Sequence, residues 1–146
     1  MSWYKQSQEN DYDYNYEEER RDWIIGDREV HYVDGIAYMA PHYHPDLPLY
    51  EVDVDKVDKA WRNGPEDFYL MKGYDDHRRQ RFMGWKEKEN LPIEVPEVYI
   101  DGKGALHFSN GRHRFSVIRE MGKNKTVMNV ECEYPKLLQL IDAVRL

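Results

Sequence analysis

The sequence predicts an α+β fold, because segments with a two-residue apolar period and segments with a helical period follow one another in a chain of 146 residues. Three observations carry this prediction. They are a hairpin pattern around Asp34-Gly35, a second hairpin pattern around residues 101–104, and a helical stripe directly after it. We therefore expect a small mixed sheet with helices and an N-terminal β-hairpin extension, in a chain long enough to bury its own core.

Composition excludes several classes of protein. The net charge of −7 argues against a protein that coats DNA or membranes in general, although it allows a local basic site. The single cysteine, Cys132, cannot form an internal disulfide and fits a reducing compartment. Because no apolar run spans a membrane and the N-terminus lacks the apolar core of a signal peptide, we expect a soluble, cytoplasmic protein.

Residues 1–22 form an acidic, tyrosine-rich arm ahead of a single domain that we expect over residues 23–146. The arm carries a net charge of −4 and few aliphatic residues, which is typical of a solvated or poorly ordered segment. A second interpretation is a docking surface for a protein partner. A basic stretch at residues 77–88, inside an insertion that we place at 65–90, offers a second partner surface.

The first hairpin is predicted from the Asp34-Gly35 dipeptide. Both central positions of a type I′ turn need a positive φ, which Asp and Gly tolerate, so we place strands near 28–33 and 36–40. A proline-bounded loop follows. It contains His42, His44 and Asp46, but a transition metal normally needs more ligands than this loop supplies, so we favour a surface loop and predict no metal site.

A strand and a helix are predicted next. Residues 50–54 alternate between apolar and acidic side chains, which indicates a short strand. Asp53 or Asp55 then serves as the N-cap of a helix that carries Val57 and Trp61 on one face, and a Gly-Pro pair ends it.

The second hairpin has a defined register in the sequence. Val98 and Ile100 point to one side, and Phe108 and Leu106 match them across the turn at residues 101–104. From residue 112 the period changes to that of a helix, with Gly122 as its C′ residue. The stripe consists of Phe115, Val117, Ile118 and Met121.

Two more elements complete the chain. Residues 126–134 alternate again, which predicts a strand with Met128, Val130, Cys132 and Tyr134 on one face. Pro135 can occupy the first position of a last helix over residues 135–146, whose apolar stripe is Leu137, Leu138, Ile141 and Val144.

The junction between the second hairpin and its helix has the chemistry of an anion site. Gly111 lets the backbone approach a ligand, and the start of the helix supplies N–H donors and a positive dipole end. Arg112, His113 and Arg114 add positive charge, which is unfavourable at that position unless an anion is bound. Lys56, in the first turn of the earlier helix, is likewise a cation at an unfavourable position. A bound phosphate would make these positive charges favourable, while pairing of Arg112 and Arg114 with acidic residues of the chain is the alternative.

These residues carry a family resemblance. The stretch "HFSNGRHRFSVIREMG" after "VYIDGKGALHF" resembles the nucleotide-binding motif of the ParB/sulfiredoxin-like superfamily, with a Gly-x-His-Arg type step between strand and helix. The stretch "VDVDKVDKAW" is similar to that family's short strand and helix with an early lysine. The resemblance covers about 50–63 and 93–134 and implies a compact ParB/sulfiredoxin-like domain with a phosphate-binding strand-to-helix turn.

The resemblance implies roles for individual residues. Gly111 and His113 would approach a phosphate of ATP or a related nucleotide, Arg114 would clamp it, and Lys56 would reach the same nucleotide. Asn63 would be a polar contact. The full set implied for nucleotide binding is Lys56, Asn63, Asn110, Gly111, Arg112, His113 and Arg114.

Departures from the family pattern exclude its best-known activities. Sulfiredoxins carry their nucleophilic cysteine where this chain has Arg112, and Cys132 falls in a later strand, so sulfinic-acid repair is not expected. Only 24 residues follow Gly122. These do not accommodate the helix-turn-helix domain of partition proteins, so sequence-specific DNA binding is not expected either.

Three functional hypotheses remain open. The first is an enzyme that transfers or hydrolyses a nucleotide phosphate, with magnesium as a candidate ion, His113, Arg114 and Asp53 as catalytic candidates, and Glu51 or Asp55 as alternatives to Asp53. The second is a non-catalytic phage- or plasmid-type inhibitor that acts through protein–protein contacts. The third, a ParB-like nuclease, is weakened by the acidic net charge, because nucleic-acid backbones are bound by many basic contacts.

Overall fold

The computed structural model describes residues 22–64, 68–73 and 91–146. These residues build two small mixed sheets with helices, which confirms the α+β class. The strands are β1 His31–Val33, β2 Ile36–Met39, β3 Tyr50–Asp53, β4 Ile93–Glu94, β5 Glu97–Ile100, β6 Leu106–Asn110, β7 Lys125–Cys132 and β8 Val144–Arg145. Helices of the described residues include α1 Val54–Arg62, α2 Arg112–Glu120 and a 3-10 helix, Pro135–Ile141.

The larger sheet holds five strands in the order β6-β5-β7-β3-β8, and the smaller sheet has the order β1-β2-β4. In the larger sheet β5 and β7 pair in parallel, and the other neighbouring strands pair antiparallel. The two sheets meet where the Thr126 hydroxyl of β7 donates to the Tyr38 hydroxyl of β2 at 2.9 Å, with both side chains buried. This contact places β7 between two layers.

The first hairpin forms as predicted. Asp34 and Gly35 have φ values of 49° and 81°, as a type I′ turn requires, and β1 pairs with β2 across it. The hairpin is not a separate extension, however. β2 also pairs in parallel with β4, which comes more than fifty residues later, so the chain between them closes a second sheet. Sequence periodicity could not reveal this because β4 has only two residues.

Helix α1 begins one residue earlier than the strand pattern indicated. Asp53 is its N-cap, and the Asp53 carboxylate accepts from the backbone N–H of Lys56 at 2.9 Å. Val54, which the alternation assigned to the strand, is already helical. Val57 and Trp61 are both fully buried, as their four-residue spacing predicted.

The second hairpin has the predicted register with one irregularity. Val98 lies opposite Phe108 and Ile100 lies opposite Leu106. At Glu97 the register shifts, so that Glu97 lies opposite Asn110. Such a β-bulge re-aims the side chains at the end of a strand pair, and this one lies directly before α2.

Helix α2 and strand β7 follow where they were expected, with two corrections. Gly122 has a φ of 74° just after α2, as a C′ glycine does, but Met121 is 43% exposed and does not belong to the apolar stripe. Strand β7 is buried on both faces over residues 126–130, because one face packs on the smaller sheet. Tyr134 lies beyond the strand and precedes the 3-10 helix.

The prediction of a long last helix is wrong. Pro135 does occupy its first turn, but the element is a 3-10 helix that ends at Asp142, where φ is 52°. Val144 is 59% exposed and, with Arg145, forms β8 against Tyr50 and Glu51. Pairing with the open edge of β3 therefore replaces the helical continuation.

No helix among the described residues is long and apolar enough to cross a membrane. The predicted partner surface at 77–88 lies outside the described residues, as does nearly all of the arm at 1–22 and, except for residues 68–73, the insertion at 65–90.

Candidate functional site

A cavity of about 460 Å³ opens where β6 ends and α2 begins. Its described lining combines a basic helix start with aromatic side chains from three segments. The lining residues are Trp61, Phe68, Phe108, Ser109, Asn110, Gly111, Arg112, His113 and Arg114. Four of the residues predicted for nucleotide binding are therefore joined in one run, residues 111–114, with Asn110 beside them.

Gly111 makes this junction possible. It is the N-cap of α2 with a φ of 86°, a conformation that is costly for residues with a Cβ. A Cβ built on Gly111 would lie 2.8 Å from the Pro96 Cα and 2.8 Å from a guanidinium nitrogen of Arg114. Both backbone conformation and close packing thus require glycine here.

The start of α2 concentrates positive character. No side chain caps the helix at Gly111, and its first turn contains no acidic residue. The first N–H groups of a helix have no carbonyl of the same helix to donate to, and they carry the positive end of the dipole. Arg112, His113 and Arg114 stand in this same turn, and all three are partly buried.

In the described part of the chain, the contacts that hold Arg112 over the cavity come from Phe68. A guanidinium nitrogen of Arg112 donates to the Phe68 carbonyl at 3.0 Å, and the guanidinium lies 4.8 Å from the centre of the Phe68 ring. Stacking of this kind leaves the remaining donors of an arginine directed elsewhere. The contact also brings an aromatic ring that is 61% exposed to the rim of the cavity.

Arg114 is a desolvated cation without a direct carboxylate partner among the described residues. It donates to the backbone carbonyl of Glu94 at 2.5 Å. Burial lowers the pKa of Arg114, while the nearby charges of Glu94, Tyr43 and Glu97 act in the opposite direction. The alternative that the acidic residues of the chain neutralise Arg112 and Arg114 by direct pairing is thus not what the described contacts show.

The Glu94 carboxylate is instead engaged by other groups. It accepts from Arg28 at 2.6 Å and from the backbone N–H of His42 at 3.1 Å. Burial raises the pKa of Glu94, but the hydrogen bonds from Arg28 and His42 outweigh this effect, and the pKa lies below its usual value. The Glu94 carboxylate therefore binds Arg28 and the loop after β2, while the backbone carbonyl of Glu94 accepts from Arg114.

The cavity has a rigid aromatic wall. The ring of Phe108 lies 4.6 Å from that of Trp61 and 5.3 Å from that of Phe115, centre to centre. Trp61 and Phe115 are fully buried, which fixes the position of Phe108. An aromatic wall beside a cationic turn suits a ligand with a planar ring and an anionic group.

A buried ion pair ties the two helices and the segment with Phe68 together. Arg119 of α2 donates to Asp58 of α1 at 2.7 Å, and the Tyr69 hydroxyl donates to the same carboxylate at 2.9 Å. The Arg119 guanidinium also lies over the Trp61 ring at 5.9 Å. Tyr69 adjoins Phe68 in the chain, so this network positions the aromatic rim.

Three polar side chains, which we term the rim cluster, adjoin the cavity through Asn110. The Tyr43 hydroxyl donates to the Glu97 carboxylate, and the Asn110 amide donates to both at 3.3 Å. The bulge that sets Asn110 opposite Glu97 makes this arrangement possible. Asn110 belongs to both the rim cluster and the cavity lining.

The remaining predicted site residues lie elsewhere. Lys56 pairs with Asp142 at 2.7 Å, and Asp53 caps α1 and lies 3.6 Å from Lys125. Asn63 is the exposed C-cap of α1. None of the three lines the cavity described here, so the structure does not bring them together with the Gly111–Arg114 turn.

The histidine loop does not assemble a metal site in the described part of the chain. No group of three or more His, Cys, Asp or Glu side chains is placed to hold a metal ion among residues 22–64, 68–73 and 91–146. His42 contacts the Glu94 carboxylate at 3.2 Å, and His44 and Asp46 are exposed on the loop.

Sequence reasoning missed the aromatic lining and, apart from Asn110, the rim cluster. Trp61 and Phe108 were predicted only as apolar residues facing the inside, and Phe68 and Tyr43 had no role. Counting the hairpin register back from its turn does bring Glu97 near Asn110, and this was the one available signal. The contact with Tyr43 depends on a loop whose path has no sequence signature.

Comparison of the chain with protein-family models, with curated proteins and with solved structures gives no match.

Proposed function

We propose that the protein binds the phosphates of a nucleotide, of the ATP type, at the strand-to-helix turn formed by Gly111–Arg114. The observation that carries this proposal is the union of three first-turn basic residues and three aromatic residues around one cavity of about 460 Å³. A cavity of this size matches those that hold small organic ligands.

Electrostatics supports a phosphate at this turn. Positive side chains at a helix N-terminus are unfavourable by about 0.3–1 kcal/mol each, and no acid in the first turn offsets them. A bound phosphate would reverse that sign, because the N–H groups, Arg112 and Arg114 would all donate to it. The partial desolvation of Arg114 strengthens such a contact.

The aromatic residues support a base next to the phosphates. Phe68 is exposed at the rim, and Phe108 is fixed against Trp61 and Phe115. A flat purine or pyrimidine gains about 1–3 kcal/mol from stacking on such a ring. Arg112, which already stacks on Phe68, connects the two halves of the site.

The resemblance to the ParB/sulfiredoxin-like superfamily supports the same proposal, because it assigns a nucleotide phosphate to the same run of residues. In a phosphotransferase or NTPase of this design, Arg112 and Arg114 stabilise the charge that develops on the phosphoryl group, and His113 donates to it. Asp53, capping α1 away from the cavity, is not the base that this proposal uses.

The experiment is titration calorimetry of the full chain with ATP, ADP, CTP and GTP, each with and without magnesium, which accompanies phosphates in phosphoryl transfer. We expect binding of at least one nucleotide, and Arg114→Ala should weaken its affinity about tenfold or more, because a hydrogen bond to a charged group contributes about 1.5–3 kcal/mol. Lys136→Ala removes an exposed cation on the 3-10 helix and should leave the affinity unchanged.

Failure of all four nucleotides to bind would overturn the proposal. That result would favour the second candidate, an interaction protein. The observation on its side is the 85% exposure of the Trp23 side chain directly after the acidic arm, since large exposed aromatic residues are enriched where proteins dock.

A further inference from the structure

The rim cluster has the arrangement of a hydroxyl nucleophile with its base. The Tyr43 hydroxyl donates a hydrogen bond to the Glu97 carboxylate, and the Asn110 amide donates hydrogen bonds to both groups at 3.3 Å. A nucleophile, a base within hydrogen-bond reach and a third group in contact with the base are the parts that activate hydroxyl nucleophiles in enzymes. Asn110 also lines the cavity, whereas Tyr43 and Glu97 do not, so the hydroxyl lies one hydrogen bond away from the cavity lining.

Tyr43 is accessible and yet held in place. The residue is 58% exposed. Its neighbour His42 is anchored through the backbone N–H and the imidazole to the Glu94 carboxylate, at 3.1 Å and 3.2 Å. The loop therefore presents the phenol at a defined position.

Electrostatics assigns the roles within the pair. The hydrogen bond to Glu97 raises the pKa of Tyr43, so the phenol keeps its proton at neutral pH and needs a base to lose it. The charge of Arg114 acts on both Tyr43 and Glu97. A cation at this place would favour the phenolate as it forms and would bind a phosphate brought to it.

We propose that Tyr43 accepts a phosphoryl group from a nucleoside triphosphate bound in the cavity, with Glu97 as the general base. The proposal rests on the proposed nucleotide-binding function and extends it by naming the acceptor.

The step is a single displacement. The Tyr43 Oη forms a bond to the γ-phosphorus while the bond from that phosphorus to the β,γ-bridging oxygen breaks. The nucleoside diphosphate leaves with the electron pair of the broken bond, and the phenolic proton moves to a Glu97 carboxylate oxygen. Arg114 stabilises the charge on the transferred group.

Two other described tyrosines lack one part of this arrangement. Tyr69 also donates to a carboxylate, but Asp58 is buried and already paired with Arg119. Tyr32 is 70% exposed on β1, and the hydrogen bonds among the described residues include none from its hydroxyl to a carboxylate, unlike that of Tyr43. Tyr32→Phe is therefore a matched control for Tyr43→Phe, since each change removes one exposed hydroxyl.

The test combines intact-protein mass spectrometry with peptide mapping after incubation of the full chain with the nucleoside triphosphate that calorimetry identifies, together with magnesium. We expect one added phosphoryl group, located on Tyr43. Tyr43→Phe should abolish the addition and still bind the nucleotide, whereas Tyr32→Phe should be modified as the parent chain is.

A base at Glu97 predicts a second result. Glu97→Gln should slow the modification by about a hundredfold or more, the usual contribution of a general base. A readout without nucleotide checks the same contact: ultraviolet difference titration of the free protein should show a lower Tyr43 pKa in Glu97→Gln, identified by its loss in the double variant with Tyr43→Phe.

The outcomes separate this inference from the function on which it rests. Nucleotide binding without modification of Tyr43, or modification of another tyrosine, would overturn the inference and leave the binding function in place. No nucleotide binding at all would overturn both. If Glu97→Gln does not fold, the comparison of Tyr43→Phe with Tyr32→Phe still decides.

Discussion

The N-termini of α1 and α2 differ in how the chain satisfies their free N–H groups and the positive end of the helix dipole. Both helices have nine residues and both follow a β-strand of the larger sheet. In α1 the carboxylate of Asp53 caps the helix, Asp55 adds negative charge to the first turn, and the lone cation Lys56 is paired with Asp142. In α2 a glycine occupies the cap position and the first turn contains only basic charged residues.

This difference shows which helix start is complete on its own. The donors and the dipole of α1 are satisfied by residues of the chain, so Lys56 is explained without a ligand. Near α2, two carboxylates of the described residues are occupied: Glu94 by Arg28 and His42, and Glu97 by Tyr43 and Asn110. Within the described residues, the positive character of the α2 start is therefore not offset by a capping or first-turn acid, whereas that of α1 is.

The largest effect should come from breaking the glycine cap of α2. The matched control is Gly122→Ala, which should lower the free energy of unfolding by about 1–2 kcal/mol, because Gly122 also has a positive φ but no atom within 4 Å of the added Cβ. Gly111→Ala should lower the free energy of unfolding by more than this, since its Cβ would also collide with Pro96. Urea unfolding of both variants measures the difference, and equal losses would show that Pro96 does not restrict this turn.

A smaller effect is expected from removing the cap of α1. Asp53→Ala should cost about 1 kcal/mol, because the backbone N–H of Lys56 loses its acceptor. Asp53→Asn keeps a capping oxygen and should retain most of the stability in urea unfolding. If the asparagine variant is as unstable as the alanine variant, the carboxylate acts through its charge and its contact with Lys125 rather than as a cap.

The smallest effect should be a pH dependence from Glu94. The pKa of Glu94 is lowered in the folded protein, so the unfolded state binds the proton more tightly. The stabilisation is present above the ordinary glutamate pKa of about 4.3 and is lost as the pH falls through the lower folded value. The effect is small because burial opposes the hydrogen bonds from Arg28 and His42.

Thermal unfolding between pH 7 and pH 3 checks this sign. Glu94→Gln should be less stable than the parent chain at neutral pH, and the difference should narrow as the pH falls below about 4.3. A difference that stays constant across this range would mean that Glu94 contributes by packing and not by its charge.

Local elements were predictable because their causes are local. The Asp34-Gly35 turn, the register of Val98 with Phe108 and the Asp53 cap each depend on a few neighbouring residues, and all three are confirmed. The last helix failed for the opposite reason. Its apolar spacing fits a helix, but the open edge of β3 recruits Val144 and Arg145 as a strand.

The candidate site likewise contains residues that the sequence could reveal and residues that depend on contacts distant in the chain. The run Gly111–Arg114 could be found because glycine and three basic residues stand together at a strand-to-helix junction. Lys56 could not be excluded, since its partner Asp142 lies 86 residues away in sequence. Glu97 and Tyr43 reach the rim only through a bulge and a loop.

The sequence by itself determined the α+β class, both hairpins, the start of α2 and the basic turn at residues 111–114, and it narrowed the cap of α1 to Asp53 or Asp55. Each of these follows from backbone preferences and periodicity within a short window. Only the tertiary structure decided that β2 pairs with β4, that Asp58 and Arg119 join the helices, and that Phe68, Phe108 and Trp61 surround the basic turn. These contacts join residues far apart in the chain, and they form because burying aromatic surface and pairing buried charge favour one arrangement of the elements.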